Sequence, residues 1–167
     1  LYCRLLEQAV ENLKEGRDAV PVASTIDLGI GGLVPRVFVP DDARRMDVYR
    51  RLARAGSVEE LDSIVTDIKT AYGALPSPVR NLVELALVRI LATTLGISSI
   101  RKHEADIIFR ASGPRAIEQR LKGLPGMVRM VGRAGRGLAD AEIWWRPSAS
   151  STESDSLLAL LRNRLQA

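Results

Sequence analysis

From Val79 to Leu95 the chain is apolar on nearly every side of a helical wheel. A helix of that kind is buried against several neighbours rather than against one. Ser77-Pro78 opens it, with proline in the first helical turn. Two further helices precede it. Asp41 or Asp42 caps the first, which runs to about Ala55 and places Met46, Tyr49, Leu52 and Ala53 on an apolar face. Gly56 ends it. Ser57 caps the second, with Glu60 three residues on as a capping box. Val58, Leu61, Ile64, Val65, Ile68 and Tyr72 form its buried stripe, and Gly73 closes it.

Tyr2, Leu5, Leu6, Ala9, Val10 and Leu13 recur at helical spacing before Gly16, which predicts an N-terminal helix. Ser24 to Ile30 alternates as a strand does. Arg36 to Val39, between Pro35 and Pro40, reads as extended, since a residue before proline avoids the helical region.

After Gly96 the pattern changes. Ile97–Lys102 and Asp106–Ala111 read as strands joined by a short turn. Gly113-Pro114 opens a short helix to Lys122. Val128–Val131 and Ala139–Trp145 read as two more strands, and Leu157, Leu158, Leu161 and Leu165 mark a last amphipathic helix after the Ser-rich stretch Pro147–Ser156. The expected class is α+β. A helical first part, 1–96, comprises the three-helix group plus an N-terminal helix and strand. A small antiparallel-strand-rich part with two helices, 97–167, follows. The 167 residues suit one domain, or two lobes split near Gly96.

Hydrophobic content of 46% allows a real core, and a net charge of +4 admits nucleic acid or an acidic protein surface as partner. Cys3 and His103 are single, which excludes the usual His/Cys zinc sets and an internal disulfide; a reducing, cytoplasmic setting is expected. No run of 18 apolar residues exists, so no membrane span is expected. Leu1–Glu15, with Arg4, Glu7, Glu11 and Lys14, does not read as a signal peptide. The start at Leu1 inside a helical pattern is expected of a segment cut from a longer protein.

Catalytic motifs are lacking. Gly132-Arg-Ala-Gly-Arg-Gly137 resembles the arginine motif of helicase cores, yet no Gly-rich loop ending in Gly-Lys-Ser/Thr and no acidic magnesium box accompanies it. A glycine-rich hairpin is the plainer reading, with an exposed loop offering Arg133 and Arg136 to phosphate or an acidic partner as the other. His103-Glu-Ala-Asp106 reads as a solvated hairpin turn. Arg44, Arg50, Arg51 and Arg54 line one side of the first helix of the trio: a solvated face, or a contact for an acidic surface or a DNA backbone. Arg45 lies nearer the apolar side, where a structural salt bridge suits it. Of Trp144 and Trp145, adjacent on one strand, one is expected in the core and the other more exposed.

Taken in order, these pieces resemble the C-terminal domain of the bacterial transcription-repair coupling factor family, Mfd. Tyr2, Leu5, Leu6, Glu7, Ala9, Val10 and Leu13 fit the family's opening helix. Pro35, Phe38, Val39, Pro40 and Asp41 fit its Pro-x-x-Tyr-Ile-Pro-Asp piece. Arg45-Met46 and Tyr49-Arg50-Arg51 follow, then Asp67 to Gly73 and Leu75-Pro76. The match covers residues 2 to 97; beyond that only the pattern of elements agrees.

The resemblance implies a regulatory domain without chemistry or cofactor of its own, at the end of an ATP-driven DNA translocase that displaces stalled RNA polymerase and recruits UvrA. It implies an autoinhibitory clamp onto a UvrB-like module of the same protein, hiding the UvrA-binding surface. The clamp residues it implies are Asp67, which holds the family's acidic position, and Thr70 and Ala71, which stand where the family has Asp-Arg. The rival expectation is an independent basic nucleic-acid-binding module using Arg51, Arg54, Arg133 and Arg136.

Overall fold

The structure, a computed structural model, describes residues 22–133 and 137–167, with the side chains at 133 and 137–140 outside that description. The expected N-terminal helix and Cys3 therefore lie outside the described residues.

Three helices come first: α1 (Asp42–Arg54), α2 (Val58–Tyr72) and α3 (Ser77–Thr94). Their starts follow from local chemistry. The Asp41 carboxylate accepts the Arg44 N–H at 2.8 Å, and the Ser57 hydroxyl accepts the Glu60 N–H at 3.1 Å. Glu60 answers one residue early, accepting the Gly56 N–H at 2.9 Å instead of that of the cap itself. Gly73, at a φ of 91°, ends α2 and donates its N–H to the Lys69 carbonyl at 2.8 Å.

Two expectations for this part fail. Arg36–Val39 is a turn: the N–H groups of Phe38 and Val39 both donate to the Pro35 carbonyl at 3.0 Å. The restriction before proline acts on Val34 and Val39 alone and leaves the residues between them able to turn. On α1, Met46 is 50% exposed and Ala53 is exposed as well. The buried stripe runs instead through Arg45, Val48, Tyr49 and Leu52, at helical spacing. Arg45 belongs to it because its head group is satisfied: it donates to the Val39 carbonyl at 3.1 Å and pairs with Asp42.

The sheet has five strands: β1 (Thr25–Asp27), β2 (Ile97–His103), β3 (Asp106–Ala111), β4 (Gly126–Arg133) and β5 (Gly137–Pro147). Their spatial order is β1-β2-β3-β5-β4. β1, shorter than the expected Ser24–Ile30, joins β2 in parallel; the remaining pairs are antiparallel. Two helices, α4 (Pro114–Leu121) and α5 (Ser154–Gln166), complete the α+β fold.

α3 binds the two halves together. Val79, Ala86 and Ile90 face a cluster with Val48, Leu52, Leu61, Ile64 and Ile68 of α1 and α2. Val88 and Ala92, on the opposite side, join Ile100, Ile107, Phe109, Ile143 and Trp145 of the sheet and Leu158 and Leu161 of α5. The all-round apolar pattern thus has its cause in two cores meeting on one helix. Leu82 is only half-buried. Arg89, within α3, caps α1: it donates to the carbonyls of Leu52 at 3.1 Å and Ala55 at 2.9 Å.

Candidate protein-interaction site at the end of α2

The last turns of α2 present Asp67, Thr70 and Ala71 to solvent, while Ile64 and Ile68 are buried in the core. The local sequence explains this. Isoleucines four residues apart fix one face inward; Thr70 falls opposite it and Asp67 on its flank, while Ala71, back near the isoleucine side, is exposed because the helix ends at Tyr72. The Thr70 hydroxyl donates to the Thr66 carbonyl at 2.9 Å, and Tyr72 packs on Phe38 at 5.6 Å between ring centroids. The end of the helix is therefore held in place by aromatic packing as well as by its glycine cap.

Asp67 is not alone there. Arg51 of α1 donates to its Oδ2 at 2.5 Å, with 38% of the arginine side chain and 57% of the aspartate side chain exposed. The structure thus joins one residue of the expected clamp to one of the expected basic contacts. Arg54 is exposed at the end of α1. Arg136 and the side chain of Arg133 lie outside the described residues. Thr70 and Ala71 bring no charge, so the charges at this helix end are the Arg51–Asp67 pair and the exposed Lys69.

Beside this end, between α2 and α3, lies an open groove of about 570 Å³ lined by Val65, Lys69, Gly73, Ala74, Leu75, Arg80, Val83 and Glu84. Its floor is apolar and its rim carries both signs of charge. Such a groove suits a protein side chain better than a small reacting molecule. Among the described residues no group of three or more His, Cys, Asp or Glu side chains is placed to hold a metal, and no helix is long and apolar enough to cross a membrane.

The β2–β3 turn at His103–Asp106 exists as expected, but Asp106 is not solvated. Its side chain is 6% exposed and takes two bonds from Arg146, at 3.0 and 2.7 Å. Those bonds hold the Asp106 carboxyl below the usual carboxylate range, against the opposing effect of burial. Glu142 is similarly sunk, with Arg101 at 3.6 Å and Arg110 at 3.4 Å. Sequence reasoning passed over all these residues apart from Asp106. Pairs spanning 40 positions leave no local trace, and only the adjacency of β3 and β5 creates them. Trp145 is fully buried and Trp144 partly exposed, as strand alternation predicts.

Comparison with known proteins places this geometry in context. The TRCF domain family matches residues 28–120, more than half of the chain. The transcription-repair-coupling factor of Escherichia coli (strain K12) is 36% identical over 109 residues, covering 62% of this chain and 10% of that protein. The one from Mycobacterium tuberculosis (strain CDC 1551 / Oshkosh) is 32% identical over 111 residues, covering 60% and 9%. The one from Myxococcus xanthus is 24% identical over 155 residues, covering 86% and 13%. The chain thus spans about a tenth of the length of these relatives. A crystal structure of the C-terminal domain of a transcription-repair coupling factor superposes with a TM-score of 0.67 at 12% identity, over 86% of this chain and 92% of that one. That likeness gives the fold, and the sequence match over the helical trio, β2 and β3 gives the family: the chain belongs to the TRCF domain family.

Proposed function

We propose that this chain is the regulatory C-terminal domain of an ATP-driven DNA translocase acting in transcription-coupled repair. In this reading the end of α2 clamps a UvrB-like module of the same protein and so masks its UvrA-binding surface. The domain itself carries out no chemistry and needs no cofactor. RNA polymerase, DNA and UvrA are partners of the parent protein, not of this face.

The observation that carries the reading is the exposed outer face of α2 at Asp67, Thr70 and Ala71, rigidly presented beside an apolar groove in a TRCF-family fold. A carboxylate has lone pairs for more than one donor. Asp67 therefore keeps acceptor capacity for a cation on the clamped module while Arg51 holds its Oδ2. An exposed ion pair contributes only about 0.2–1 kcal/mol. Without further charge at Thr70 and Ala71, the clamp is of the weakly held, releasable kind.

The test uses the full-length protein. Asp67→Arg should raise both UvrA capture and basal ATPase activity. Thr70→Asp combined with Ala71→Arg should lower both. If both variants match the parent, the clamp lies elsewhere on the surface.

A further inference from the structure

The helices α3, α4 and α5 pack on one face of the sheet, through Ile100, Ile107, Phe109, Ile143 and Trp145. Among the described residues, no helix covers the other face. Register places Ser99 and Arg101 of β2 there, with Ile108 and Arg110 of β3, Glu142 and Trp144 of β5, and Met127, Arg129 and Val131 of β4.

This layer is ordered, and its charge is sorted by depth. The carboxylates are sunk: the Asp106 and Glu142 side chains are 6% and 10% exposed. The four arginine side chains paired to them, Arg101, Arg110, Arg129 and Arg146, remain between 42% and 58% exposed. The acids thus fix the guanidinium groups from below while the outward surface stays cationic. At its centre Arg129 lies over the Trp144 ring, 5.4 Å from the centroid, and His103 meets the same ring edge-on at 6.1 Å. Met127, 65% exposed, extends the apolar patch along β4. Ile108, though on this face, is 1% exposed, with Arg101 and Trp144 as its register partners on either side.

We infer that this outer sheet face is a docking surface for single-stranded nucleic acid. Phosphates meet the arginines, and a base stacks on the platform of Trp144 and Arg129. The face from β2 to β4 is three strand spacings wide, about 14 Å, which accommodates a short run of nucleotides. Stacking on an aromatic ring or a guanidinium plane is tolerant of sequence, and the phosphate contacts depend on salt. An acidic protein segment would satisfy the charges but offers no flat π face to the central platform. The site is separate from the end of α2, so it stands or falls independently of the clamp.

The test titrates the full chain into a short fluorescein-labelled oligothymidylate and follows anisotropy. Dissociation constants of about 10⁻⁴ to 10⁻⁶ M at physiological salt are expected. Trp144→Leu should weaken binding about tenfold. Arg129→Gln should lower the slope of log affinity against log salt by about one. Arg129 is the safer variant for folding, since Asp106 keeps its two bonds from Arg146; circular dichroism of the same samples checks both. No anisotropy change up to about millimolar protein overturns the inference. So does binding that both variants leave intact. A poly-glutamate peptide that displaces the oligonucleotide at equal charge concentration also overturns it, and assigns the face to an acidic protein.

Discussion

Among the described residues, two arginine–aspartate pairs connect neighbouring elements, and their surroundings make them different devices. Arg51–Asp67 joins α1 to α2 with both partners well exposed. Arg146–Asp106 joins β5 to β3 through two bonds, with the carboxylate buried and the guanidinium outside. Water and salt compete for the first pair, so exchanging its partner costs little. The second carboxylate has lost its water, so losing its arginine leaves a buried charge with poor alternatives. An exchangeable pair suits a surface that must let go of its partner; a fixed pair suits a scaffold.

The strongest way to break this contrast is Arg146→Ala. Asp106 would retain only Arg129, at 3.9 Å. A loss of stability in urea unfolding larger than that from breaking an exposed pair is expected. A loss within the range of an exposed pair would mean that Asp106 is satisfied without Arg146.

Acid titration sharpens the same point. The folded state depresses the Asp106 carboxyl, chiefly through the Arg146 bonds, below its ordinary value of 3.8. Its stabilising effect is therefore complete above pH 3.8 and is lost as pH falls below that value towards the folded pKa. Asp42, depressed chiefly by its hydrogen bond from Arg45, titrates in the same window. The informative measurement is thus the stability difference between the parent and Asp106→Asn, which should shrink as pH falls below 3.8. A difference independent of pH would assign the effect of the substitution to packing.

Arg51→Ala should have the smallest effect, about 0.2–1 kcal/mol, decreasing in high salt. A larger, salt-insensitive loss would make this pair structural too.

What the sequence revealed, and what it hid, divides along the same line. Helix starts at Asp41, Ser57 and Pro78, the end at Gly73, and the opposite facing of Trp144 and Trp145 depend on neighbours a few residues away, and they were legible. The partnership of Asp67 with Arg51 was not, since it depends on how α1 crosses α2. The outward direction of Asp67 was readable from its place beside Ile68. The carboxylates beneath the sheet arginines were hidden for the same reason. β5 inserts between β3 and β4, and no local pattern specifies that order. On α1, Arg45 displaced Met46 from the expected stripe because a charged head group with a carbonyl and a carboxylate in reach can occupy a buried position.

In the function proposed above, Asp67 acts on a partner and does more than tie α2 to α1. Exchanging the pair, Arg51→Asp with Asp67→Arg, tests it most directly, because the exchange restores the internal attraction while reversing the charge that Asp67 shows to any partner. UvrA affinity should be measured for the full-length parent, for Asp67→Arg and for the exchanged double variant, with the thermal midpoint of each. A clamp contact at Asp67 predicts that the double variant recovers the parent's midpoint yet binds UvrA as tightly as Asp67→Arg does. Return of UvrA binding to the parent's level in the double variant would contradict it and leave Asp67 a purely internal tie.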